Sequence, residues 1–259
     1  LDEAGAELED VAFVLPPLSF RQVAAGDLFA SFGGRDADGY AIAIWAHSAT
    51  HAYASIIDNR SHDPVFVPAV PAPRVPESWI PVVAQTEGAA GVFWQSDLSL
   101  FNPFDHAISV DIALVGPSGD AALLPLLLEP RATSSLPEIV TYFGGGATRG
   151  AIRIRSTDGT ETPIVRGRAY TARGSRGTVG QSIGPADDHQ FGTSFVLAGL
   201  PNGDGWRANF GMINRATSGR AVTARLLDAS GAELAERQIQ LPAMSHWQSS
   251  LSETFPVAV

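Results

Sequence analysis

One phrase occurs twice in the chain. Residues 92–102 read VFWQSDLSLFN and residues 204–214 read DGWRANFGMIN. Trp94 aligns with Trp206, Asp97 with Asn209 and Asn102 with Asn214, each 112 residues apart, and Val110 and Leu114 carry the register on to Val222 and Leu226. The ends also match. LDEAGAELEDVAFVLPPLSFRQ at 1–22 aligns with LDASGAELAERQIQLPAMSHWQ at 227–248, pairing Gly5 with Gly231, Pro16 with Pro242, Ser19 with Ser245 and Gln22 with Gln248, 226 residues apart. Gly119 supplies the intermediate phase, and Ile152 and Ile154 answer Ile42 and Ile44. A period near 113 residues follows, and it limits the fold more than any other feature.

Within a period the apolar residues alternate over short runs. Val11, Phe13 and Leu15 form one such run, Ile42 and Ile44 another, and in GAIRIRS Ile152 and Ile154 alternate with Arg153 and Arg155. Period-two runs bounded by Gly, Pro, Asn and Asp predict β-strands joined by turns. Strands are expected at 11–15, 40–46, 52–58 and 63–69, then through the middle of the chain, and again at 195–200, 206–214, 221–228 and 237–243. Residues 20–32 read as a short helix or turn. Seven to nine short strands in about 113 residues predict an all-β fold of tandem antiparallel β-sandwich modules, immunoglobulin-like in size. Propeller blades repeat every 40–50 residues, and no such shorter period is present.

The register cuts the modules unevenly. Residues 1–70 form the back part of a module, 71–76 (PAPRVP, three prolines in six) a Pro-rich linker, 77–190 a complete module and 191–259 the front part of another. Proline-rich spacers are extended and semi-rigid. Each terminal part alone leaves apolar sheet faces and strand edges bare, which favours pairing with another segment. Ordering about 70 residues costs roughly 1–2 kcal/mol each, more than half a core offsets. The split modules are therefore expected to be completed by the other terminal segment of the same chain or of another copy. The remaining alternative is that the chain is a window of a longer array. The duplicated 1–33 and 227–259 complicate closure, since both claim the same strand positions.

Composition narrows the partners. A net charge of −10 disfavours nucleic acid and anionic membrane surfaces. All 17 basic residues are arginine, a pattern that fits a GC-rich genome. The absence of cysteine removes disulfides, thiolate metal sites and cysteine nucleophiles. No apolar run reaches the roughly 20 residues that span a bilayer, so no membrane insertion is expected. The acidic start LDEAGAELED lacks a signal-peptide pattern, and Leu1 reads as a position left by processing or within a longer chain.

The phrases WIPVVAQTEGAAGVFWQSDLSLFNP at 79–103 and AYASIIDNRSHDPVFVPA at 52–69 resemble an uncharacterised bacterial tandem repeat of secreted and cell-surface proteins, sometimes appended to extracellular proteases. Trp94, Asp97, Asn102, Tyr53, Asp58, Asn59, Asp63 and Pro64 fall on its recurring positions. The first phrase resembles the opening of a two-module unit and the second its close, so the order is offset here. The resemblance implies an extracellular β-rich structural or accessory role and brings no catalytic residues.

No reactive constellation is expected. Gly180-Gln181-Ser182-Ile183-Gly184 fits G-x-S-x-G and is followed by Asp187, Asp188 and His189, but a nucleophile elbow needs a strand turning into a helix, and Pro185 follows. His47, His51 and His62 with Asp58 and Asp63 read as hairpin surface rather than a metal site. Asp36-Ala37-Asp38-Gly39 and Asn202-Gly203-Asp204-Gly205 lack the full calcium-loop spacing. Gly144-Gly145-Gly146 lacks the lysine of a phosphate loop, and Asn59-Arg60-Ser61, formally a glycosylation sequon, reads as a turn. Trp94 and Trp206 are expected to cover module cores, and Asp97/Asn209 and Asn102/Asn214 to bracket turn backbone. The resulting expectation is a non-enzymatic extracellular structural module with no catalytic residue, metal or cofactor. It joins copies of itself or neighbouring repeats end to end, as a fibre or surface array, by completing split β-sandwiches. The alternative is a glycan- or surface-binding accessory module of a secreted enzyme.

Overall fold

The computed structural model describes residues 1–30, 40–144, 148–186, 190–201 and 205–256. It is nearly all β, with antiparallel pairing throughout. The two α-helices are single turns, α1 (Ala25–Leu28) and α2 (Leu251–Thr254).

The central strands carry the main core. They are β3 (Glu77–Glu87), β4 (Phe93–Phe101), β5 (Ile108–Gly116), β6 (Gly119–Leu128), β7 (Thr133–Leu136), β8 (Thr148–Ser156), β9 (Ile164–Ala172) and β10 (Thr178–Ile183). Their order is β10-β9-β4-β3-β8-β5-β6, with β7 on the free side of β4. The link between β3 and β4 is only the corner Thr86↔Trp94 and Glu87↔Phe93. The rest of β3 pairs with β8, and the rest of β4 with β9 and β7. Residues of both halves share one buried cluster: Ile80 and Val83 of β3, Val110 and Ile112 of β5 and Ile152 and Ile154 of β8 meet Leu98 and Leu100 of β4 and Val165 of β9. The alternation in these strands produces this directly, because Leu98 and Leu100 of β4 and Val165 and Ala169 of β9 lie on the buried face that carries the cluster.

The flanks differ. Before the centre, β1 (Tyr53–Ile57) and β2 (Pro64–Pro68) form a hairpin in the strand regions expected at 52–58 and 63–69. The runs at 11–15 and 40–46 form no strand. Ala41 instead exchanges backbone hydrogen bonds with Leu1, at 3.1 and 3.3 Å. After the centre, residues 195–200 form no strand either, while β11 (Asn209–Asn214) pairs with β14 (Ser245–Ser250) and β12 (Arg220–Leu227) with β13 (Glu233–Leu241). The physical reason for both departures is the same. A period-two run becomes a strand only when a neighbour accepts its backbone bonds, and 11–15 and 195–200 have no strand beside them among the described residues. Phe13, Leu15, Phe20, Phe195 and Leu197 are accordingly exposed.

Candidate functional site at the joints beside the central strands

Among the described residues, two of the contacts between flank and centre rest on turns that are each braced by an asparagine, and a third closes a sheet edge. Buried Asn102 donates through Nδ2 to the carbonyls of His106 (2.8 Å), Leu128 (3.1 Å) and Glu129 (2.9 Å), and its Oδ1 accepts from the Phe104 N–H (3.0 Å). Asn214 repeats the arrangement, donating to Ser218 (2.9 Å), Leu241 (3.5 Å) and Pro242 (2.6 Å) and accepting from the Ala216 N–H (3.0 Å). Each asparagine therefore staples its strand to a tight turn ahead, as the bracket reading expected. The turns contain Arg131 and Met244, both left-handed, with φ of 59° and 45°. Each is further held by its own N–H, Arg131 to the Phe104 carbonyl (3.1 Å) and Met244 to that of Ala216 (3.0 Å). Leu18 has the same conformation, φ 56°, and 113 residues separate each of the three from the next.

These turns are the contact points. A methyl group at Gly5 (φ 83°) would stand 2.6 Å from the Pro130 carbonyl oxygen and from the Arg131 carbonyl carbon, so only glycine fits there. Beside it the Thr133 N–H donates to the Glu3 carbonyl at 2.9 Å. On the other side of the centre Gly119 (φ 114°) faces the carbonyl oxygens of Met244 and Ala243, 3.7 and 4.0 Å from where its methyl would lie. That second contact has an apolar floor. Trp79, Val115 and Ala151 are buried together, with Ala186, Phe191, Ile213 and Met244 packed on them. Trp79 Nε1 donates to Glu77 at 2.7 Å, and its ring meets Phe191 edge-on at 6.3 Å. His246, 2% exposed, is pushed down to about 4 by burial first and by the Arg149 charge second.

The third contact closes a sheet edge. β10 pairs with β9 on one side only, and the N–H groups of Thr178 and Gly180 point to the other. The loop between β1 and β2 covers them. Asp58 Oδ2 accepts from the Thr178 N–H (2.8 Å) and hydroxyl (2.7 Å), and Asp63 Oδ2 from the Gly180 N–H (2.8 Å). Ser61 donates its hydroxyl to the Thr178 carbonyl. Asp58 Oδ1 also accepts from the N–H groups of Arg60 and Ser61, so Asn59-Arg60-Ser61 is turn chemistry as read. The Thr178 hydroxyl and N–H, followed by those two, hold the Asp58 carboxyl far below the usual carboxylate range.

The other sequence candidates do not come together. Ser182 lies inside β10 opposite Arg168, not at a strand-to-helix turn, and Asp187, Asp188 and His189 lie outside the described residues. Among the described residues no three His, Asp or Glu groups are placed to hold a metal ion. Asp36, Asp38, Gly39 and Asn202 to Asp204 lie outside the description, as do Gly145 and Gly146. The Trp94 indole lies directly on Gly88, where a methyl would be 2.6 Å from Nε1, but Trp206 is 70% exposed and covers no core. Among the described residues no named strand runs over 190–201, where β3 would stand one period later. Asp97 accepts from the Glu138 N–H (2.9 Å) and the Tyr170 hydroxyl (3.2 Å), and burial, with Asp97, pushes Tyr170 up to about 12.

One cluster was missed by sequence reasoning. Buried Glu161 accepts from Arg74 (2.6 Å) and bonds His106 (2.8 Å), so the proline-rich segment is pinned to the centre rather than free. Glu161, then Asp105, raises the His106 pKa. Nothing in the spacing of Arg74, His106 and Glu161 announces this group. Comparison of the chain with protein-family models, with curated proteins and with solved structures returns no match.

Proposed function

We propose that the chain is a non-enzymatic structural module of the cell exterior, built of tandem β-sandwich units that join copies of the chain end to end. In this reading the central strands are one complete unit, two sheets closed on a shared core. The flanking strands are parts of neighbouring units, completed by strands of another copy to give a fibre or surface array. The observation that carries the reading is the recurrence of one joint. A glycine corner lies against a left-handed turn at Gly5/Arg131 and again at Gly119/Met244, 113 to 114 residues on. A contact that repeats head to tail does not close on itself and leaves an unused half at each end. The exposed apolar runs at 13–20 and 195–200 support the same reading.

Sedimentation and electron microscopy of the purified chain over a wide concentration range test it. Association growing with concentration into linear species is expected, and single particles at every concentration would end the proposal. A second reading, an accessory module binding surface glycans, draws on Trp45 and Trp206, which expose 76% and 70% of their surface and offer flat faces to sugar rings. A glycan array with the W45A/W206A variant as control decides that one; equal signals would dismiss it.

A further inference from the structure

We infer that the corner at 227–234 of one copy takes the place of residues 1–8 on the Arg131 turn of a second copy, so that the N-terminal segment is an internal stand-in for the intermolecular contact. The inference rests on the reading that copies meet end to end, and it names where they touch.

The two segments are near-copies. LDEAGAEL at 1–8 and LDASGAEL at 227–234 agree at six of eight positions. They close the same turn. Asp2 N–H donates to the Ala6 carbonyl at 2.9 Å, Ala6 N–H to Asp2 Oδ1 at 2.9 Å and Gly5 N–H to the Asp2 carbonyl at 3.0 Å. Asp228, Ala232 and Gly231 make the same three bonds at 2.9, 2.9 and 3.0 Å. Gly5 and Gly231 share the left-handed conformation, φ 83° and 87°. The two differences, Glu3 against Ala229 and Ala4 against Ser230, fall where the Arg131 turn touches backbone. The Thr133 N–H reaches the carbonyl of residue 3, and Pro130 and Arg131 meet Gly5 through main-chain atoms. The turn therefore does not distinguish the two segments.

Only one of them is engaged. Gly5 is pressed against Pro130 and Arg131, whereas nothing lies within 4 Å of the methyl position of Gly231. Leu227 and Leu234 are each 53% exposed, although Val115, which stands where Leu227 does one period earlier, is fully buried under Met244. The second corner, Gly119, carries its turn within the chain, so the third corner is complementary to a surface that this protein already builds twice. The strands on each side of the exchange settle which turn arrives. Residues 7–24 form no strand, while their counterparts at 233–250 include β13 and β14. A second copy that completes those C-terminal strands with its residues 40–68 brings its own central strands to the next position, with the Asn102-braced Arg131 turn facing Gly231. Among the described residues the Leu18 turn has no such brace.

The test uses the full chain with a benzophenone amino acid at position 227, mixed with isotopically heavy chain. Photolysis followed by peptide mapping is expected to place the adduct on residues 128–133 of the other copy. Gly5→Val, which a left-handed φ and a 2.6 Å approach both oppose, is expected to expel residues 1–8 and tighten self-association about tenfold, because the turn is then always free. Leu227→Arg is expected to return it to monomer. Circular dichroism of each variant checks that the strands persist. Adducts on 16–19, or association of G5V equal to that of the parent, would overturn the exchange and leave end-to-end assembly standing. Parent and G5V that both sediment as monomers would overturn the two together.

Discussion

At the scale of single residues, two buried side chains make opposite demands. Asn102 is fully buried and makes four bonds that no other residue type supplies. Alanine there strips three carbonyls and one N–H of their partner, and unsatisfied buried groups cost about 1–3 kcal/mol each before relaxation. N102A is expected to lower the urea stability of the central strands by about 2–4 kcal/mol, and a loss under 1 kcal/mol would refute the bracket. His246 depends on staying neutral. Its folded value of about 4 lies below the ordinary 6.5. The folded state therefore holds fewer protons in that window, and stability falls as pH drops from about 6.5 to about 4. A shift of that size corresponds to about 3 kcal/mol. Urea midpoints at pH 7, 5.5 and 4 should fall more steeply for the parent than for H246Q; parallel slopes would remove His246 from the account.

Among the elements, what was legible in the residues depended on how local its cause is. The central strands could be read because Ile152, Ile154, Leu98 and Leu100 alternate against neighbours that the chain itself provides. The run Val11, Phe13, Leu15 alternates as well and forms no strand, because alternation specifies a face and not a partner. Asn102 and Asn214 were legible as brackets, since their register repeats with the turns they hold. The Asp58 and Asp63 clasp was not, because it joins positions 120 and 117 apart to bare N–H groups whose exposure exists only once β10 has become an edge. That clasp blunts the edge with carboxylates instead of a further strand. The double variant D58N/D63N is expected to speed hydrogen exchange at the Thr178 and Gly180 amides at least tenfold, while Ala169 within the sheet keeps its protection. Unchanged rates at both amides would show that something else shields β10.

For the whole molecule, stability should be uneven, and a protease reads that unevenness. Every basic residue is an arginine, so trypsin probes the chain at 17 known points. Arg153, Arg155, Arg166 and Arg168 lie in paired central strands, and cleavage there requires the core to open. Arg21 is exposed and in no strand, and Arg207 is exposed just before β11. Cleavage of a local segment follows the free energy of local opening, which is near zero where few apolar contacts exist. Dilute protein is therefore expected to be cut at Arg21 and Arg207 well before Arg153, Arg155, Arg166 and Arg168. Assembly changes the order for one of the two. A second copy that covers the C-terminal strands shields Arg207 as concentration rises, whereas exchange at the Arg131 turn releases residues 1–8 and leaves Arg21 at least as exposed. Cutting at Arg207 that slows with concentration while cutting at Arg21 does not is the expected signature. Equal protection at both sites would mean that the N-terminal segment stays on its own turn, and that copies meet elsewhere.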